Sequence, residues 1–88
     1  MKKEINNENL IRGLLEYNNI KKQETEKGER YFTKYWTVIL NDKSVSFKNS
    51  SGIFILQLNK IKVNLNHNTL NIKIKGQQKL EIEIVNTE

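Results

Sequence analysis

The spacing of apolar residues changes once along this chain, near residue 30. Before that point Leu10, Leu14 and Tyr17 recur three or four apart, and Ile11 and Leu15 widen the stripe. That is the spacing of one helix face, and it predicts a helix over residues 6–18. Asn6 suits the N-cap, and Glu8 puts negative charge at the positive helix end. Ile5 and Leu10 fall at the two positions of a hydrophobic staple. Asn18 or Asn19 can take the left-handed conformation that ends a helix, with Ile20 folding back on the last turn. Gly13 costs the helix about 1 kcal/mol relative to alanine, which close packing on a sheet would explain. Residues 21–29 are polar and charged without apolar periodicity, so an exposed connector is expected there.

From residue 30 onward the period becomes two. Residues 31–40 are rich in aromatic and β-branched side chains and read as one strand. A turn at 41–43 leads to a half-buried strand in which Val45 and Phe47 alternate with Ser44, Ser46 and Lys48. After a second turn at 49–52, residues 53–58 are nearly all apolar, which suits the most buried strand. Ile61, Val63 and Leu65 then alternate with polar residues. So do Leu70, Ile72 and Ile74, after a turn at His67 and Asn68, and Leu80, Ile82 and Ile84, after a turn at 76–78. Short strands with short loops pair as antiparallel neighbours. The expectation is a single α+β domain, residues 1–88. One N-terminal helix packs on an antiparallel meander sheet of five or six strands across residues 30–86, either open or closing partly into a barrel.

Register follows from which side chains must share the buried face. Leu65 opposite Leu70 puts Val63 against Ile72 and Ile61 against Ile74. The same register sets Lys62 beside Lys73 and Lys60 beside Lys75 on the other face. In the next hairpin, keeping Ile72 and Ile74 over Ile82 and Ile84 brings Glu81 and Glu83 near Lys75 and Lys73. Lys73 and Lys75 would then be half-neutralised by a cross-strand ladder, leaving Lys60 and Lys62 free.

Size and charge sharpen this picture. At 88 residues the chain fits one domain, with a stability of roughly 3–5 kcal/mol expected at this size. It has no cysteine, so neither a disulfide nor a thiolate metal site is available. There is no apolar run of membrane-spanning length, and no apolar segment behind the N-terminal lysines that would make a signal peptide. A cytoplasmic protein is expected. Abundant Asn, Lys and Ile, with no Ala or Pro, match AT-rich codon usage, as in low-GC bacteria, their phages and their mobile elements. The net charge is +5, and from Lys43 to Lys79 there are seven lysines and not one carboxylate. A long acid-free basic segment favours an acidic partner. The plainer reading is that lysine solubilises exposed strand positions.

No catalytic constellation is visible, and no cofactor is expected. His67 is the lone histidine and sits in a polar turn. The glycines stand alone, without a phosphate-loop pattern. The serines at 44, 46, 50 and 51 have no base beside them. Glu81 and Glu83, two apart on a strand, are better explained as partners of lysines than as an acid–base pair. The run from Arg30 to Trp36 interleaves aromatic and basic side chains, as single-stranded nucleic-acid sites do. Lys34 and Tyr35 are its candidates. Against this, Phe32 and Trp36 would fill the core while the tyrosines edge it.

The series from Tyr35-Trp36-Thr37-Val38-Ile39-Leu40 through Val45-Ser46-Phe47 and residues 55–61 to Leu70-Asn71-Ile72-Lys73-Ile74 resembles the strands of a pleckstrin-homology-like domain. The resemblance lies in strand order and spacing over residues 30–85. It implies a binding scaffold, in that family commonly for phosphoinositides or peptides. That family closes its barrel with a C-terminal helix, whereas this chain reaches Glu88 just after a strand, so the N-terminal helix would have to take that place and no lipid site is carried over.

These observations point to a non-enzymatic binding module. The first expectation is nucleic acid, or a complex containing it, held by Lys60, Lys62, Lys73 and Lys75 with Lys34 and Tyr35. The second is an acidic protein surface, as for a small inhibitor or adaptor of phage or mobile-element type, anti-CRISPR proteins included. The third is a homo-oligomeric structural protein joined through Ile53 and Ile55, which share a strand that is apolar on both faces. No membrane partner is expected, and the protein is read as a monomer or homodimer.

Overall fold

The computed structural model of the protein describes residues 6–76 and 79–87. Ile5 of the expected staple, part of the expected turn at 76–78, and Glu88 lie outside them. Among the described residues the chain forms one helix and eight strands in two antiparallel sheets. The helix α1 spans Asn7–Tyr17. Strands β1 Lys21–Thr25, β2 Gly28–Phe32, β3 Thr37–Leu40, β4 Ser44–Asn49 and β5 Gly52–Gln57 form a five-stranded sheet in that order. A short 3-10 turn, Leu58–Lys60, leads to β6 Ile61–Asn66, β7 Thr69–Ile74 and β8 Lys79–Glu83, which form the second sheet. The α+β class holds. The single meander of five or six strands does not, and neither sheet closes into a barrel.

The helix forms where its pattern places it. Asn6 caps it, its side chain accepting from the Asn9 backbone N–H at 2.8 Å. Asn19 takes φ 57 after its end, and the Ile20 N–H returns to the Leu15 carbonyl at 3.0 Å. Ile11, Leu14 and Leu15 are buried against β6 and the 3-10 turn. Tyr17, counted in the stripe, is instead 80% exposed, as the last residue of the helix. Asn7 ties the helix start to the second sheet, donating to the Leu58 and Ile61 carbonyls at 2.8 Å each. Gly13 does not pack on a sheet. It faces solvent, and a Cβ there would meet nothing within 4 Å. Gly13→Ala is therefore expected to stabilise the protein by about 0.5–1 kcal/mol, through helix propensity and a less flexible unfolded chain. A rise in the urea midpoint at unchanged slope would register it.

Residues 21–29 are not a connector. They form β1, a turn and the start of β2, with Lys21 opposite Phe32 and Thr25 opposite Gly28. Strand β1 is an exposed edge whose side chains bury neither face, so backbone pairing alone defines it. The turn is closed by Thr25, whose hydroxyl donates to the Gly28 carbonyl at 2.7 Å and accepts from the Lys27 N–H. Gly28 has φ 133, and a Cβ there would come within 2.5 Å of the Leu40 carbonyl oxygen, so only glycine fits this crossing.

Residues 31–40 are likewise two strands, not one. The Thr33 hydroxyl donates to the Trp36 carbonyl and accepts from its N–H, both at 2.9 Å, which folds residues 33–36 into a turn. The break overturns half of the aromatic assignment: Tyr31 is fully buried and Phe32 is on the outer face and exposed, whereas Trp36 packs half-buried against the core and Tyr35 is exposed, as expected. Trp36 meets Phe47 edge-on at 6.3 Å and Phe54 at 6.1 Å.

One core joins the helix and both sheets. Tyr31, Val38, Leu40, Val45 and Phe47 line the inner face of the first sheet, and Ile61, Val63, Leu70, Ile72 and Ile82 that of the second. The expected most buried strand is the opposite. β5 is an edge strand, with Ile53 53%, Phe54 42% and Ile55 68% exposed. The helix covers β6 and leaves β5 bare. A clamp of Arg12, Glu29 and Tyr31 holds the helix to the first sheet. Arg12 donates to the Glu29 and Glu8 carboxylates at 2.9 and 2.6 Å, and the Tyr31 hydroxyl donates to Glu29 at 2.9 Å.

Candidate functional site

The second sheet places its lysines as its first hairpin requires. Leu65 lies opposite Leu70, Val63 opposite Ile72 and Ile61 opposite Ile74, so Lys62 and Lys73 are paired on the outer face. Lys60 sits in the 3-10 turn just before β6, and its carbonyl accepts from the Lys75 N–H at 3.4 Å, which keeps these two lysines adjacent. Their stems and the neighbouring backbone enclose a shallow depression of about 390 Å³ lined by Lys60, Lys62, Lys73 and Lys75.

The second hairpin departs from the expected register. Lys73 faces Lys79, Asn71 faces Glu81 and Thr69 faces Glu83. The glutamates therefore do not neutralise Lys73 and Lys75. Gly76, in the connection from β7 to β8, takes the left-handed φ 73 that suits glycine. The register that follows it sets a lysine, instead of two carboxylates, beside Lys73. Lys62, Lys73 and Lys79 thus form a row across three strands, about 5 Å apart between backbones. Asn64, Asn71 and Glu81 form the next row. A second depression, about 290 Å³, runs between these two rows. Among the described residues no ion pair reaches Lys60, Lys62, Lys73, Lys75 or Lys79. Lys79 is the member that sequence reasoning missed. Gly76, which marks a turn shortly before it, was the signal that could have found it.

Lys34 and Tyr35 do not join this cluster. They occupy the turn between β2 and β3, where the Lys34 N–H donates to the Val85 carbonyl at 2.8 Å. That puts them past the far end of β8 from Lys79, a strand length of roughly 13 Å at about 3.3 Å per residue. Tyr35 is exposed, with the Lys34 ammonium 5.7 Å from its ring centre. Ile53 and Ile55 lie on the outer face of the other sheet, opposite Lys48 and Ser46 of β4.

Other features fit less well. A larger depression of about 770 Å³ opens beside the helix start, but there two carboxylates, Glu8 and Asp42, face a single lysine, Lys43, the reverse of the balance a polyanion needs. His67 is exposed in the tip of the β6–β7 turn with φ 56. Among the described residues no three His, Cys, Asp or Glu side chains gather as a metal site. No described helix is long and apolar enough to cross a membrane. No protein-family model matches the chain, and no curated protein or solved structure matches it either.

Proposed function

We propose that the protein binds a polyanion, nucleic acid in the first place, through the outer face of the second sheet at Lys60, Lys62, Lys73, Lys75 and Lys79. One observation carries this reading: five exposed lysines converge on one end of a three-stranded sheet, and among the described residues no carboxylate is paired to any of them. Opposed like charges on neighbouring strands destabilise a sheet. A fold that needed only solubility could set Glu81 and Glu83 against those lysines by a different hairpin register. A phosphate backbone laid along the row offsets the repulsion and releases its counterions. Asn64 and Asn71, in the adjoining row, offer amide donors and acceptors to groups beyond the phosphates.

The test is binding to labelled single-stranded and duplex oligonucleotides across a salt series. Each lysine that contacts phosphate should contribute about −0.7 to −0.9 to the slope of log K against log salt. Replacing Lys62, Lys73 and Lys79 together by alanine should flatten that slope by roughly 2. No binding at low salt, or a slope untouched by these substitutions, would overturn the proposal. A partner recovered from nuclease-treated lysate would assign the same face to an acidic protein instead.

A further inference from the structure

The face that carries the lysines also bears on the form of nucleic acid that suits it. Outer-face positions of β6, β7 and β8 hold lysine, asparagine, threonine and glutamate, and no aromatic ring. Single strands are held by rings on which successive bases stack. The exposed rings lie elsewhere. Phe32 and Phe54 belong to the first sheet. Tyr17 precedes Asn18, whose carbonyl accepts from the Asn86 amide, and Tyr35 follows Lys34, whose N–H donates to the Val85 carbonyl. Both tyrosines therefore sit past the C-terminal end of β8, the end opposite Lys79. Glu81 and then Glu83 stand between Lys79 and that end, on the same outer face. A single strand running from the lysines toward the tyrosines would have to pass both carboxylates.

We infer that the site takes a duplex rather than a single strand, and holds it by the phosphate backbone without reading its sequence. This rests on the polyanion reading above and narrows it. A duplex carries one charge per roughly 1.7 Å of axis, twice the density of either strand alone. That density suits lysines crowded onto three neighbouring strands, about 10 Å from the first backbone to the third. The major groove admits an α-helix or a two-stranded ribbon. Here the lysines stand on a three-stranded sheet backed by α1 and the core, too broad to enter the groove, so it rests on the phosphate ridges. Arg12 belongs to α1 and Arg30 to β2, so the planar guanidinium fork that suits base edges is absent from this face. Asn64 and Asn71 then meet sugar and groove-edge groups between the phosphates.

The experiment titrates the whole chain with a short labelled duplex and with each of its separated strands, as DNA and as RNA, at one low salt concentration. At least one duplex should bind roughly tenfold more tightly than its own strands, which forgo stacking worth about that factor per base. The DNA and RNA arms identify which duplex is preferred. Permuting the base pairs should change affinity by less than the roughly fivefold that one wrong pair costs a protein that reads sequence. Tyr35→Ala should leave every affinity unchanged, and the combined Lys62, Lys73 and Lys79 alanine variant should lose the preference for duplex. Strands that bind as tightly as both duplexes, or binding weakened by Tyr35→Ala, overturn the inference and leave the polyanion reading standing. So does a duplex affinity that follows sequence. If neither form binds, the polyanion reading falls and this inference with it.

Discussion

Phe47→Ala is expected to leave the protein largely unfolded at room temperature. Phe47 is fully buried on β4, between Val38 on β3 and Phe54 on β5, with the Trp36 ring packed edge-on against it. Truncating a buried phenylalanine costs about 3–5 kcal/mol, part lost transfer energy and part the cavity left behind. A chain of this length has an expected stability of only about 3–5 kcal/mol, so the substitution removes nearly all of it. Trp36 is the single tryptophan, so its fluorescence through a urea titration should show a wild-type native baseline that the variant lacks. Phe32→Ala is the internal control. Its ring is exposed on the outer face, and the change should stay within about 0.5 kcal/mol of wild type. Equal losses from the two would mean that the aromatic rings are not divided between core and surface in this way.

Glu29→Leu should produce the second largest loss, about 1–3 kcal/mol. One Glu29 oxygen accepts from both Arg12 and the Tyr31 hydroxyl, so leucine strands two donors at once. The cost stays below the 3–5 kcal/mol of a fully buried ion pair because both side chains keep about a fifth of their exposure. The same clamp sets a pH profile. Desolvation of the Glu29 carboxyl favours its neutral form, but hydrogen bonds from Arg12 and Tyr31, with the Arg12 and Lys22 charges, outweigh it and hold the group below its ordinary value. Its contribution is therefore present above the ordinary carboxylate range, near 4.5, and is lost as pH falls through the lower folded value. Tyr31 behaves oppositely. Burial, then its bond to Glu29, pushes the phenol well above 10. Its contribution is full below pH 10 and fades as pH rises toward the folded value. Arg12, raised by its bonds to Glu8 and then Glu29, stays charged throughout. Stability measured against pH should show a plateau between these limits. Glu29→Gln should flatten the acid limb and Tyr31→Phe the alkaline one. An acid limb unchanged in Glu29→Gln would show that other carboxylates set it.

Much of the fold was legible because its elements bury one face. The helix stripe, the β6–β7 register and the turns at Asn41 and Asn49 all follow from local spacing and side-chain chemistry. Asn41, for instance, accepts from the Lys43 and Ser44 N–H groups to close its hairpin. β1 was illegible for the complementary reason: an exposed edge strand buries neither face and leaves no alternation to read. The candidate site was half legible. Lys62 and Lys73 follow from which aliphatics must be inside, whereas Lys79 enters only through the register of β8 on β7.

The amino-acid sequence by itself determined the class of the domain, the capped helix and the facing of Lys62 and Lys73, since period and capping act between near neighbours. Tertiary structure decided which apolar strand is covered. A helix can shield only one stretch of sheet, and here Asn7 and the Leu14–Leu15 face seat it on β6 and the 3-10 turn. β5 is therefore left at the rim, although its composition is that of an interior strand.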